Sequence, residues 1–211
     1  MNPDLLVESV RLFRSRGGAG TVNCNTNASR TGAVERLARA GLSSIRVSLN
    51  SARPDVYERY YRPHGYSFDD VRRSIAVARQ NGLWVSLNLL FFPGVTDSEG
   101  ELEALARLVG ENGVSMIQWR NLNIDPEWYL GLMRGIDHGP VMGLSLFMKR
   151  LKKLCPWLRF GYFNPYVGEK AELTAPLPGQ WRMPDLSVAD APLAGPASED
   201  AAGEADTEAE E

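Results

Sequence analysis

Apolar residues recur along roughly the first 160 residues with two different periods. Apolar positions spaced three and four apart predict helices, which begin after capping residues and end at glycines. The intervening runs alternate between apolar and polar side chains, as strands do when their two faces meet different surroundings. Helices are predicted from Pro3, from Asp125, and over 31–40, 54–61, 68–81, 98–110 and 141–154. Strands are predicted over 21–27, 44–50, 83–90, 115–121 and, as a fifth, 158–163.

Strands that alternate with helices predict right-handed crossovers and a parallel sheet. Four or five such units are too few to close an eight-stranded barrel. The predicted fold class is therefore α/β, a partial parallel (βα) barrel of the aldolase or TIM type. The chain opens on a helix with no strand before it, which suggests that a preceding segment is missing.

Each of the first four predicted strands has one polar and one apolar side. The apolar sides carry residues such as Ile45, Val47, Leu87 and Ile117 and are expected to meet the helices. The polar sides carry Asn23, Asn25 and Asn27, then Arg46, Ser48 and Asn50, then Ser86 and Asn88, then Gln118 and Arg120. Buried polar groups need hydrogen-bond partners, so a lumen lined this way predicts a large polar ligand. The alternative is that individual polar residues only cap strand ends.

Composition and charge exclude several classes of protein. The 211 residues carry a net charge of −3 and are 44% apolar, which suits a single globular domain of moderate size. Seven acidic residues lie in the last fourteen positions, and without them the net charge becomes +4. The sequence has no basic stripe interleaved with aromatic residues, so no nucleic-acid partner is expected. It has no apolar run of about 20 residues and no signal peptide, so we expect a cytoplasmic protein without membrane contact.

The chain is predicted to divide into three parts. Residues 1–136 form the partial barrel, 137–174 form a C-terminal helix and strand extension, and 175–211 form a tail that is Pro/Ala-rich and then acidic. About the last 25 residues lack the apolar side chains that offset ordering entropy and are predicted to be disordered. Within the barrel, Ser98 and Glu101 have the spacing of a capping box at a helix start.

Five segments, in this order, resemble the radical S-adenosylmethionine (radical SAM) family. They are NTNAS at 25–29, RVSLN at 46–50, the connection at 62–71, FPGVTD at 92–97 followed by Glu101, and IQWRNL at 117–122. They look like the third, fourth, fifth and sixth strands of that family and their connections. The resemblance runs from residue 2 to about residue 129, more than half of the chain.

The resemblance implies strands 3 to 6 of a six-unit core and two cofactors, S-adenosylmethionine and a [4Fe–4S] cluster. In the family, a Cys-x3-Cys-x2-Cys loop holds the cluster, a Gly-Gly-Glu segment binds the methionyl amine, and reductive cleavage yields a radical that abstracts hydrogen. This chain has only Cys24 and Cys155 and has no such triplet, so no metal ligands are predicted within it. The resemblance implies that Ser48 and Asn50 contact the ribose of the cofactor. The polar strand faces add Asn25, Asn27, Asn88, Gln118 and Arg120 to the predicted cofactor-binding residues.

Three hypotheses stay open at this point. The chain is the later part of a radical SAM enzyme whose N-terminal segment is missing, or it is a non-catalytic remnant or partner-binding module with a partner covering the open barrel edge. The third hypothesis, an ordinary aldolase-type or phosphate-binding barrel, predicts a lysine nucleophile or a Gly-rich phosphate loop at a strand end. Lys149, Lys152 and Lys153 lie on a predicted helix, so this hypothesis ranks last.

Overall fold

A single parallel sheet organises the part of the chain that the computed structural model describes, residues 2–162 and 173–190. Its strands are β1 (Asn23–Thr26), β2 (Ser44–Leu49), β3 (Trp84–Phe91), β4 (Met116–Asn121) and β5 (Arg159–Phe160). They lie in sequence order, and every neighbouring pair is parallel. β1 and β5 are the edges of the sheet, which does not close. The predicted partial parallel barrel is confirmed.

The helices connect these strands and cover one face of the sheet. They are α1 (Pro3–Ser15), α2 (Thr31–Arg39), α3 (Pro54–Tyr61), α4 (Phe68–Gln80), α5 (Glu99–Asn112), α6 (Pro126–Leu132) and α7 (Leu144–Leu154), with a short 3-10 helix at Leu186–Ala189. Right-handed crossovers in sequential order place successive helices on the same side. Within the described ranges, no helix has both the length and the apolar character needed to cross a membrane.

Local capping determines where several of these helices begin. The side chain of Asn2 accepts a hydrogen bond from the amide of Asp4 at 3.0 Å, so α1 begins at the predicted cap. Ser67 and Asp70 form a reciprocal capping box at the start of α4. α5 runs on to a left-handed Gly113, with φ of 72°. A glycine adopts that conformation without steric cost, and it ends the helix there.

The last predicted helix and the last strand are shorter than expected. α7 begins at Leu144 instead of residue 141, because Val141 pairs with Ser98 in an isolated antiparallel bridge. The fifth strand covers only Arg159–Phe160 of the predicted 158–163. Position 163, at the end of that prediction, lies outside the described residues.

Residues 173–190 lie against the helical layer, although the sequence assigned most of them to a tail. The guanidinium of Arg79 donates hydrogen bonds to the carbonyl oxygens of Leu173, at 3.3 Å, and Ala175, at 2.5 Å. The ring of Trp181 lies 6.3 Å from that of Trp157, centroid to centroid. The predicted boundaries at 136/137 and 174/175 stay predictions, and the acidic end of the predicted tail, 191–211, lies outside the described residues.

Candidate functional site

The two sides of the sheet differ as the strand alternation predicts. Ile45, Val47 and Leu49 of β2 are fully buried beneath the helices. Arg46 and Ser48, between them, are only half-buried. We call the second side the polar face and define it by Arg46, Ser48, Ser86, Asn88, Gln118 and Arg120.

The strand register aligns three predicted site residues across the polar face. Ser48 is paired with Asn88, and Asn88 is paired with Gln118, so the three side chains lie side by side on β2, β3 and β4. The amide nitrogen of Asn88 donates a hydrogen bond to the hydroxyl of Ser48 at 3.4 Å. Gln118 is only 4% exposed. This row offers hydroxyl and amide groups that can both donate and accept.

The two asparagines predicted on the first strand have different surroundings. Asn25 is exposed on β1, is paired in register with Arg46, and accepts a 3.0 Å hydrogen bond from the amide of Asn23. Asn27 lies beyond the end of β1, where its side chain accepts a 3.3 Å hydrogen bond from the amide of Ser29. Asn27 therefore stabilises the turn after β1, in line with the capping alternative.

Asn50 turns inward at the end of β2. It is fully buried, and its amide nitrogen donates to the carbonyl oxygen of Val56 at 3.3 Å and to the hydroxyl of Tyr129 at 3.4 Å. Burial raises the pKa of Tyr129 to about 12, so the phenol is neutral and can accept this bond. Ser48 lies on β2 and Asn50 directly follows that strand, so two residues that are close in sequence have different surroundings.

Arginine is concentrated on the polar face. Arg120 is exposed at the end of β4, where it donates a 2.9 Å hydrogen bond to the hydroxyl of Tyr162 and lies 5.5 Å from the centre of that ring. Desolvation, and then the charge of Arg120, lower the pKa of Arg46. Arg159 of β5 lies 5.5 Å from the centre of the Trp84 ring. Arg46 and Arg159 were not among the predicted site residues, although strand alternation indicates the orientation of Arg46.

A buried carboxyl group ties the end of β2 to α5. Glu101 is 1% exposed and accepts hydrogen bonds from the hydroxyl of Ser51 and, at 2.7 Å, from the amide of Ala52. Ser98 does cap α5, because its side chain accepts a hydrogen bond from the amide of Glu101 at 3.3 Å. In a full capping box the Glu101 carboxylate would also accept from the backbone amide of Ser98, but here it accepts from Ser51 and Ala52 instead. Burial raises the pKa of Glu101 to about 7, although the hydrogen bonds from Ser51 and Ala52 act to lower it.

A cavity of about 630 Å³ lies among α5, α7 and the 3-10 helix. Its lining includes Arg150, which forms ion pairs with Glu99 at 3.4 Å and Asp190 at 3.0 Å. The positive charge of Arg150 is thus already compensated by two acidic side chains.

The residues of this chain do not fit an iron–sulfur cluster. Cys155 is fully buried, with its sulfur 3.8 Å from the carbonyl oxygen of Ala106, and burial raises its thiol pKa to about 12. Cys24 lies on β1 and packs against the hydrophobic core, and burial raises its pKa as well. A cluster needs several thiolates at one place. Among the described residues, no three His, Cys, Asp or Glu side chains form a group that could hold a metal ion.

A family model decides the classification. The model described as the radical SAM superfamily matches residues 1–108, just over half of the chain. This chain belongs to the radical SAM superfamily. The family resemblance inferred from the motifs is confirmed, and the polar face is the sheet surface of a radical SAM partial barrel. Functionally curated proteins give no match to the sequence.

Solved structures that can be aligned with this chain include several radical SAM proteins. A domain of pyruvate-formate lyase-activating enzyme from Bacteroides vulgatus is 12% identical with a TM-score of 0.48, and the alignment covers 63% of this chain and 83% of that one. Methylornithine synthase (PylB) is 14% identical with a TM-score of 0.49, covering 82% of this chain and 58% of that one. The methyltransferase TsrM from Kitasatospora setae, described with a tryptophan substrate and a SAM analog bound, is 20% identical with a TM-score of 0.41, covering 56% and 23%. With identities and TM-scores this low, the classification rests on the family model.

Proposed function

We propose that this chain is the S-adenosylmethionine-binding later part of a radical SAM domain. The observation that carries the proposal is the row of Ser48, Asn88 and Gln118 on adjacent parallel strands. Hydroxyl and amide groups of this kind hydrogen-bond ribose hydroxyls and the polar edge of adenine. Family membership supports this cofactor, and ligands of parallel α/β barrels bind at the C-terminal ends of strands.

The other predicted residues have different parts in the proposal. Asn25 and Arg120 lie beside the row and contact the ligand directly. Asn27 and Asn50 lie at strand ends, and in the proposal they reach the cofactor by exchanging the hydrogen bonds they now make. Until they do so, they stabilise the turns that follow β1 and β2.

In this proposal, the cysteines that hold the iron–sulfur cluster belong to another segment or to a partner protein. Its two cysteines lie on different elements, and Cys155 is buried in the core. A preceding segment or a partner that carries three cysteines would pair along the open edge of β1, since an edge strand presents unpaired backbone groups. The assembled enzyme would then cleave S-adenosylmethionine reductively and abstract hydrogen from its substrate. The part played by the residues described above is to bind and orient the cofactor.

Titration of the chain with S-adenosylmethionine by isothermal calorimetry tests this proposal. We expect saturable binding that weakens about fivefold in Ser48→Ala, from the loss of one hydrogen bond of about 1 kcal/mol. Ser15→Ala, an exposed serine on α1, is the control and leaves the affinity unchanged. Absence of binding, or equal binding by both variants, would contradict the proposal.

A second candidate, a non-catalytic barrel remnant, is favoured by the same count of two cysteines. Sequencing the DNA upstream of Met1 distinguishes the two. A continuous reading frame that encodes Cys-x3-Cys-x2-Cys and then Gly-Gly-Glu supports the enzyme. A nearby stop codon, with neither motif in front of the chain or in a co-purifying partner, supports the remnant.

A further inference from the structure

One buried carboxyl group fixes the whole turn that follows β2. Glu101, on α5, accepts hydrogen bonds from the hydroxyl of Ser51 and, at 2.7 Å, from the amide of Ala52. The same Ser51 oxygen accepts a 3.0 Å hydrogen bond from the amide of Arg53. The three residues that come after Asn50 are therefore fixed, directly or through Ser51, by a single side chain from another part of the chain.

Asn50 enters this turn with one hydrogen-bonding group unused. Its amide nitrogen donates to Val56 and Tyr129, but its side-chain oxygen is buried and accepts no hydrogen bond from the residues that the structure describes. A buried acceptor without a partner costs free energy, so this position favours a ligand that brings a donor. The hydroxyl groups of a ribose are donors of this kind. Where the Asn50 oxygen lies depends on the turn that Glu101 fixes.

The strength of this attachment depends on the charge of Glu101. Burial raises the pKa of Glu101 to about 7, so the acid and the carboxylate are both populated near neutral pH. The carboxylate accepts from Ser51 and Ala52 through charge-assisted hydrogen bonds, which are about twice as strong as neutral ones. The protonated acid has only one good acceptor oxygen and must donate its own proton. It therefore fixes the turn less firmly than the carboxylate does.

Three further ionisable groups interact with Glu101. Arg53, which precedes α3, favours the carboxylate, whereas Asp55, on α3, disfavours it. These two side chains form an ion pair at 2.8 Å, so their effects on Glu101 oppose each other. Tyr129 of α6 stays neutral, because burial raises its pKa to about 12. Helices α4 and α7 also pack against α5, but among the described residues they add no charged group that acts on Glu101.

We propose that Glu101 is a positioning residue for the cofactor, because its carboxylate fixes the turn after β2 and thereby the place of Asn50. The inference rests on the proposed function, in which Asn50 contacts S-adenosylmethionine. It adds that the affinity for the cofactor depends on the charge of Glu101. The carboxylate fixes the turn more firmly than the acid, so the affinity rises as Glu101 loses its proton. By linkage, binding of the cofactor favours the loss of that proton.

The experiment measures the dissociation constant of S-adenosylmethionine by calorimetry between pH 5 and pH 8, for the parent chain and for Glu101→Gln. Glutamine has the shape of the acid without a charge, so it represents the protonated state at every pH. We expect equal affinities at pH 5 and an affinity about fivefold higher in the parent at pH 8, from the loss of charge assistance in the variant. The change is centred near pH 7. The ratio of the two affinities cancels the titration of the ligand itself.

Glu103→Gln is the matched control, because Glu103 lies on the same helix with a side chain that is 46% exposed, and it keeps the pH profile of the parent. Circular dichroism at each pH establishes that every variant is folded. Ser51→Ala removes one of the two donors and is expected to lower both the affinity at pH 8 and its dependence on pH. This variant provides the same comparison if Glu101→Gln does not fold. An affinity ratio that stays constant across the pH range would overturn the proposal, because a merely structural role has no such pH profile.

A ligand-free measurement separates this inference from the proposed function. The side-chain amide signals of Asn50 in the ¹⁵N-labelled chain are followed by NMR over the same pH range. We expect a change centred near pH 7 in the parent that is absent in Glu101→Gln. Identical profiles in the two chains would overturn the link between Glu101 and Asn50. If the change is present but S-adenosylmethionine does not bind, the proposed function is refuted and the link between the two residues stands.

Discussion

The side-chain amide of Asn88 donates a hydrogen bond to the hydroxyl of Ser48 across neighbouring parallel strands, at 3.4 Å. Because the Ser48 oxygen accepts from Asn88, its own proton is left to be donated elsewhere. A hydroxyl oriented in this way is a directed donor, on a strand whose other side is buried in the core. Under the proposed function, this arrangement orients the pair for hydrogen bonding to the cofactor.

This relationship predicts that Ser48 and Asn88 act together in binding S-adenosylmethionine. We expect Ser48→Ala and Asn88→Ala each to weaken the affinity, with a coupling free energy of about 1 kcal/mol in a double-mutant cycle. The measurement is the dissociation constant for the parent, both single variants and the double variant. Strictly additive losses would mean that Asn88 does not orient the Ser48 hydroxyl.

Glu101 predicts a stability that depends on pH. Its pKa is about 7 in the folded chain and 4.5, the ordinary value, in the unfolded chain. Between these values the folded state binds more protons, so stability falls as the pH rises from 4.5 through 7 and is level above that range. The shift corresponds to about 3 kcal/mol, since each pKa unit is worth about 1.4 kcal/mol.

Glu101→Gln removes this titration while keeping groups that can bond Ser51 and Ala52. We expect its free energy of unfolding, relative to the parent, to improve by about 3 kcal/mol between pH 4.5 and pH 8. Urea denaturation at several pH values measures the change. Glu103→Gln is the matched control on the same helix, because the Glu103 side chain is 46% exposed. A constant difference across the pH range for both variants would contradict the prediction.

Asn50 provides a third prediction, because it joins three elements from a fully buried position. Asn50→Ala leaves the carbonyl oxygen of Val56 and the hydroxyl of Tyr129 without this donor. We expect a loss of about 1–3 kcal/mol in the free energy of unfolding. Asn25→Ala, at an exposed position on β1, is expected to change it by less than about 0.5 kcal/mol. Equal effects in the two variants would show that Asn50 has no structural role.

Local periodicity and long-range contacts differ in how well the sequence predicts them. The two faces of β2 could be predicted, because alternation between Ile45 and Arg46 is a property of neighbouring residues. The inward turn of Asn50 could not, because its partner Tyr129 lies 79 residues further along the chain. Likewise, Glu101 has the spacing of a capping box with Ser98, but its carboxylate bonds Ser51, 50 residues away. Residues close in sequence reveal caps and strand faces, whereas tertiary partners decide which polar side chains remain available to a ligand.

The contact between Gly110 and Trp181 yields the last prediction. A Cβ atom at Gly110, within α5, would overlap the indole ring of Trp181. Gly110→Ala must therefore displace that ring and disturb its packing beside Trp157. We expect a loss of about 1–3 kcal/mol in the free energy of unfolding, as for other overpacked sites. Tryptophan fluorescence and urea denaturation measure the displacement and the loss.

Gly32→Ala is the matched control, because Gly32 lies in α2 and has no neighbour within 4 Å of its would-be Cβ. Alanine in a helix is favoured over glycine by about 0.5–1 kcal/mol, so this variant is expected to be more stable than the parent. In a Trp181→Ala background the steric overlap is gone, and Gly110→Ala should then be stabilising as well. If Gly110→Ala is stabilising already in the parent, segment 173–190 does not lie against α5 in solution. If it stays destabilising without Trp181, the cost arises within α5 itself.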